Sequence, residues 1–209
     1  MGGVFLTDRI VVNWGTVDQV KCEIKLFRRA YNDGYDYYHL LSGCDLLIKP
    51  IAEFISLVES HQGKEFFSVD YDARNRQNAR DKINYYYLFL NKYRETSHCA
   101  RLSRLLGRIT ILIQRLLGVN RCRYDDFEYF KGHNWMSLTN AAVSYILSKE
   151  EWINNRSRFT SCPYEIYKQT LLMNSNFATS RFCTSCHQSI VKFKTDRLGT
   201  RRTIYMAYV

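Results

Sequence analysis

The chain has 209 residues, 46% of them hydrophobic, and a net charge of +10. That is enough for one domain with a real core, and the absence of repeats and biased tracts excludes a solenoid or low-complexity chain. No apolar run reaches transmembrane length, and MGGVFLTDRIVVNWG is too short and too interrupted for a signal peptide.

Seven scattered cysteines suit reduced thiols better than a disulfide framework. The expected location is therefore the cytoplasm or the cytoplasmic face of a membrane. The basic charge admits nucleic acid, an anionic membrane, a phosphorylated small molecule or a plain solvated surface. No nucleic-acid motif supports the first.

In chain order, residues 9–13 (RIVVN) read as a strand. Thr16 and Gln19 fit a capping box that opens a helix with Val17, Val20, Ile24, Phe27 and Tyr31 on one face. Residues 37–42 read as a second strand, ending in Ser42-Gly43-Cys44-Asp45. Pro50 opens a helix, and residues 65–69 read as a third strand. This succession predicts an α/β fold with a mostly parallel sheet flanked by helices. Ligands in such sheets lie beyond the carboxyl ends of strands, which makes Asp45 a candidate pocket residue.

Residues 101–117 (RLSRLLGRITILIQRLL) predict an amphipathic helix with four arginines off its apolar face. The pattern fits a helix packed on the domain or one lying on an anionic membrane surface. Residues 127–135 (FEYFKGHNW) read as a strand running into a loop. Residues 139–149 and a segment opening at Pro163 read as helices.

Four constellations bear on chemistry. Cys183 and the adjacent Cys186-His187 have c-type haem spacing, but haem attachment needs an oxidising compartment, and zinc needs four ligands. The motif reads as a surface coincidence, with no metal. Asp70 and Asp72 fit either a divalent cation on a diphosphate or a polar strand end. Glu165, at a helix start, fits either a dipole-favoured acid or a general base. Trp135 fits either a sugar-stacking aromatic or a core residue.

Four ordered stretches carry a resemblance: VVNWGTVDQVKC, YDYYHLLSGCDLLIKP, KGHNWMSLTNAAVSYIL and CPYEIYKQTLLMNSNF. They are similar to V-x-W-G-G-x-S, W-D-Y-x-I-N-L-S-G-x-D-x-P-L-K, K-G-x-x-W-x-x-L-T-x-x-x-V-x-Y-I-L and P-D-E-x-x-x-x-T-L-x-x-N-S-x-F. These are patterns of the core-2/I-branching β-1,6-N-acetylglucosaminyltransferases and their peptide O-xylosyltransferase relatives. The resemblance spans about residues 9–177 and looks like a bacterial-type member.

The resemblance implies a GT-A-like fold and inverting transfer of N-acetylglucosamine or xylose from a UDP-sugar to a glycan hydroxyl. It implies no cofactor and no metal, which weighs against a cation at Asp70 and Asp72. Glu165 falls on the family's base; Asn13, Trp14 and Gly15, and Asn134 and Trp135, fall on donor-contacting positions; Asp45 falls in the pocket. Tyr164 replaces the acid that usually precedes the glutamate.

Against the family patterns, the first strand-helix unit and the usual carboxyl-terminal run are lacking. The expected domains are 1–177, the transferase, and 178–209, a divergent basic tail. In that tail Lys192, Lys194, Arg197, Arg201 and Arg202 are free to meet a diphosphate. The alternative expectation is an inactive, shortened remnant that binds membrane or polyanion through its basic surface.

Overall fold

A computed structural model describes residues 6–41, 50–92 and 98–182. Helix α1 (Val17–Tyr31) leads into β1 (Tyr37–Leu40), α2 (Ile51–Ser60), β2 (Glu65–Phe67) and α3 (Ala73–Asn84). A 3-10 turn (Leu90–Lys92) and α4 (His98–Leu116) follow, then β3 (Met136–Thr139), α5 (Asn140–Ser148) and α6 (Glu150–Ser157). A second 3-10 turn (Pro163–Glu165), α7 (Tyr167–Met173), the short α8 (Phe177–Ser180) and β4 (Arg181–Phe182) complete the described chain.

The sheet corrects the expected mostly parallel arrangement. Its order is β1-β3-β2-β4. β3 pairs antiparallel with both β1 and β2, and only β2 and β4 are parallel neighbours. β1 and β2 do point the same way, as strand-helix-strand succession requires. They are separated because β3 returns from a long excursion and inserts between them. Tyr38 faces Leu138 across one junction, and Phe67 faces Met136 across the other.

Alternation along the strands divides the packing. Tyr38, Leu40, Phe67, Met136 and Leu138 join Val20, Ile24 and Phe27 of α1, Val143 and Ile146 of α5, and Leu171 and Leu172 of α7 in the main core. Each such large side chain contributes about 1.5–3 kcal/mol by burial. On the opposite side His39 meets Phe54 of α2 edge-on at 4.7 Å and lies 2.7 Å from the Ser137 hydroxyl. With both faces covered, all four residues of β1 are buried.

Three local expectations change. Residues 9–13 form no strand: no described strand pairs with them, and Val11 is 82% exposed. Residues 127–135 do not join the sheet, and Thr170 of α7 and Asn174, just after it, take part of their backbone hydrogen bonding. Asn174 accepts from the Glu128 N–H at 3.0 Å and donates to its carbonyl at 2.7 Å, while the Thr170 hydroxyl accepts from the Phe130 N–H at 3.2 Å. The strand comes just after them, and its last residue, Thr139, caps α5 by accepting from the Ala142 N–H. At α1, Thr16 caps as expected, but Gln19 reaches forward to Glu23 instead of back to the cap.

Helix α4 does not turn its apolar stripe to the domain. Ala100 is its only buried residue, and the leucine and isoleucine face points away from the domain. None of the described helices is long and apolar enough to cross a membrane.

Candidate active site

The site assembles around the turn that carries Glu165. After α6 the chain enters left-handed backbone at Cys162, with φ 52° and ψ 52°, and Pro163 then sets the first residue of the 3-10 turn. The Cys162 N–H donates to the Gly15 carbonyl at 2.9 Å. Gly15 itself sits at φ 78°, where an L side chain is strained. The Trp14-Gly15 turn is thereby stitched to the segment that presents Glu165. These two segments are about 150 residues apart in sequence.

Asn13 and Thr16 brace the same turn. The Asn13 carbonyl accepts from the Thr16 N–H at 3.3 Å, and the Asn13 amide donates to Asp18 at 3.2 Å. Trp14 is left 38% exposed at the turn's apex. Tyr164, in place of an acid, is buried, and burial pushes its hydroxyl pKa far up, with Cys162 and Glu165 adding to the effect.

The Glu165 side chain is 28% exposed, and its Oε2 lies 3.7 Å from the Lys82 ammonium and 3.5 Å from that of Lys131. Lys82 comes from α3. Lys131 comes from the extended segment, which is held by an unusually close backbone contact. The Gly132 N–H donates to the Glu165 carbonyl at 3.0 Å. A Cβ on Gly132 would fall 2.0 Å from the Ser68 carbonyl oxygen, so only glycine lets this segment pass between the end of β2 and Glu165. The His133 N–H donates to the Ser68 hydroxyl at 2.7 Å, and Lys131 accepts from the Asp70 N–H at 2.8 Å.

Beneath this surface lies a fully buried polar cluster. Lys168 of α7 and Glu23 of α1 are ion-paired with both side chains at 0% exposure. The Lys168 ammonium also donates to Asn134 Oδ1 at 2.6 Å, while Asn134 Nδ2 donates to Glu23 Oε1 at 2.9 Å. The Tyr167 hydroxyl donates to Glu23 Oε2 at 2.9 Å. Burial lowers the Lys168 pKa, and the Glu23 carboxylate works against that shift. The cluster ties α1, α7 and the 131–135 segment together one turn beyond Glu165. Asn134 therefore turns its amide into the domain, and the half-buried Trp135 packs against the main core.

Of the expected residues, Asn13, Trp14 and Gly15 meet the Glu165 turn directly through the Gly15 carbonyl. Asn134 and Trp135 are joined to it through Gly132 and Lys168. Asp72 accepts from the Arg74 N–H at 2.9 Å as the cap of α3, and among the described residues no group of three or more His, Cys, Asp or Glu is gathered. Asp45, Cys183, Cys186, His187 and the tail lysines and arginines lie outside the described residues.

Lys82, Lys131, Gly132, Glu23 and Lys168 are the site residues that the sequence reading misses. One signal was present for Glu23. It is a charged residue between Val20, Ile24 and Phe27, on the buried face of its helix. Lys82 carries no such signal, since its role depends on how α3 docks.

A family model described as Core-2/I-Branching enzyme matches residues 2–199. The match takes in both turns of the site, the 131–135 segment and the cluster beneath them. No curated protein matches the chain.

Proposed function

The chain belongs to the Core-2/I-branching enzyme family, and from that premise we propose that it is an inverting transferase of N-acetylglucosamine or xylose with Glu165 as general base. Membership implies glycosyltransferase activity in general, with a nucleotide-sugar donor and a glycan acceptor. The finer assignment is that the donor is a UDP-sugar and that no metal takes part.

The observation that carries this reading is the position of the Glu165 carboxylate. It is part-exposed on a rigid proline-started turn, between the Trp14-Gly15 turn on one side and the Gly132-Trp135 segment on the other. In the proposed reaction Glu165 takes the proton from the acceptor hydroxyl. The acceptor oxygen then bonds to the donor's anomeric carbon as the carbon–oxygen bond to the diphosphate breaks, and UDP leaves from the opposite face. The Lys82 and Lys131 ammonium groups lie within 3.7 Å of Oε2, and in this reading Oε1 takes the proton. Trp14 and Trp135 offer their rings to the donor, Asn13 and Gly15 shape its turn, and Asn134 acts from below by fixing the chain that carries Trp135. Asp45 belongs to the pocket in this reading.

The test is UDP release from UDP-N-acetylglucosamine and from UDP-xylose in the presence of a panel of glycan acceptors. Turnover with one donor is expected, and Glu165→Gln should reduce it by roughly 10²–10⁴-fold with UDP affinity retained. Turnover unchanged in Glu165→Gln would remove Glu165 from the role of base.

A further inference from the structure

The geometry points to α4 as an in-plane docking helix for an anionic bilayer surface, and we propose this as a second activity of the chain, independent of the transfer reaction.

An amphipathic helix ordinarily turns its apolar stripe to the core. α4 does the reverse. Placed at 100° per residue, Leu102, Leu105, Ile109, Leu112, Ile113 and Leu116 share an arc of roughly 100°, and they are 43–80% exposed. The side turned toward the domain carries Ala100, Ser103, Gly107, Thr110 and Gln114, all buried or half-buried. Apart from the half-buried Ile111 at its edge, that side is polar and small, and polar contacts help to hold it. Gln114 accepts from the Tyr86 N–H at 2.7 Å and donates to the Tyr86 carbonyl at 3.0 Å. Arg115 lies 3.8 Å from Asp81 and stacks over the Tyr85 ring. Single exposed leucines are ordinary on protein surfaces, but a contiguous stripe of this length is not.

Charge identifies the occupant. From His98 through Tyr124 the chain has six arginines and no Asp or Glu. On the same helical projection Arg101, Arg104, Arg108 and Arg115 all fall along one border of the apolar stripe. A helix lying in a membrane interface needs leucines inserted among acyl chains and long cationic side chains at the boundary, where they reach headgroup phosphates. A protein groove would call for no such one-sided cationic border. With 19 residues α4 is roughly 28 Å long, and it is not apolar enough to cross the bilayer.

The test is co-sedimentation of the full chain with vesicles of phosphatidylcholine alone and with added phosphatidylglycerol. Binding is expected only with phosphatidylglycerol and should fall steeply between about 50 mM and about 500 mM salt. Arg101→Gln/Arg108→Gln should lower partitioning roughly 25-fold, at about fivefold per arginine. Leu105→Asp/Leu112→Asp should abolish it while leaving the urea midpoint unchanged, since both leucines are exposed. Equal binding to both vesicle types, or none to either, overturns the proposal. So does a wild-type dimer in sedimentation velocity that Leu105→Asp/Leu112→Asp splits, which would make the stripe a contact between copies. A loss of UDP release in Glu165→Gln with vesicle binding intact would keep the two activities separate.

Discussion

The Lys168 ammonium and the Glu23 carboxylate are ion-paired at the centre of the domain, with neither side chain open to solvent. A buried pair of this kind gains little over an apolar replacement of the same shape, because both charges were desolvated to make it. Its consequence is positional. Lys168 holds α7 one turn after Glu165, Glu23 belongs to the helix that starts at Gly15's turn, and Asn134 bridges both.

Removing one partner should therefore cost far more than removing both. Lys168→Met is expected to destabilise by about 3–5 kcal/mol, because it strands a buried carboxylate. Glu23→Gln combined with Lys168→Met should recover a large share of that loss. Urea midpoints of the two single variants and the double variant make the cycle. A double variant as unstable as the sum of the singles would show that the pair is not coupled.

Gly132→Ala tests the close passage between Ser68 and Glu165. The new Cβ meets a backbone carbonyl at 2.0 Å, not the movable end of a side chain. A loss of about 1–3 kcal/mol or more is expected from the enforced backbone shift, with a fall in turnover as the Glu165 turn is displaced. Wild-type stability and turnover in this variant would mean that the segment is free to retreat.

Gly15 and Gly34 share nearly the same positive φ, 78° and 74°. An alanine at Gly15 meets only ordinary contact with the Cys162 sulfur, and one at Gly34 meets open space. Both substitutions should cost about 1–2 kcal/mol for the left-handed conformation. Only Gly15→Ala should also weaken UDP binding, measured by calorimetry, because only that turn joins the Glu165 segment. Equal UDP affinity in the two variants would detach the Trp14-Gly15 turn from the donor.

Glu65 gives a pH dependence with a definite sign. It is buried at the start of β2, and its carboxyl meets the Thr139 N–H at 2.9 Å and the Thr139 hydroxyl at 2.6 Å. Burial raises its pKa above the ordinary 4.5, outweighing the two hydrogen bonds from Thr139. The folded state then binds the proton more tightly than the unfolded state. This group's contribution is fully present below pH 4.5 and is lost as pH rises through the folded value. Across that window wild type should lose stability relative to Glu65→Gln, as read from urea midpoints. A constant difference between the two from acid to neutral pH would contradict the assignment.

Much of this protein is legible along the chain. Helical spacing locates α1, α5 and the apolar stripe of α4. Ordered motifs bring Trp14, Trp135 and Glu165 into one expectation, because caps, turns and face periodicity are local and depend on residues a few positions apart. Sheet order is different in kind. FEYFKGHNW has the composition of a strand, yet Asn174 and Thr170 take its hydrogen bonds, so the chain pairs only from Met136 onward. The outward face of α4 likewise depends on which side Tyr86 and Asp81 engage, and a periodic pattern is identical for either choice. The lysines beside Glu165 and the Lys168–Glu23 pair bring together residues between 34 and 145 positions apart. Only the packing of α1 and α7 in the main core, and of α3 against Tyr129 and Ile166, decides that these charges meet, since hydrophobic burial sets the docking and the polar groups must then find partners inside it.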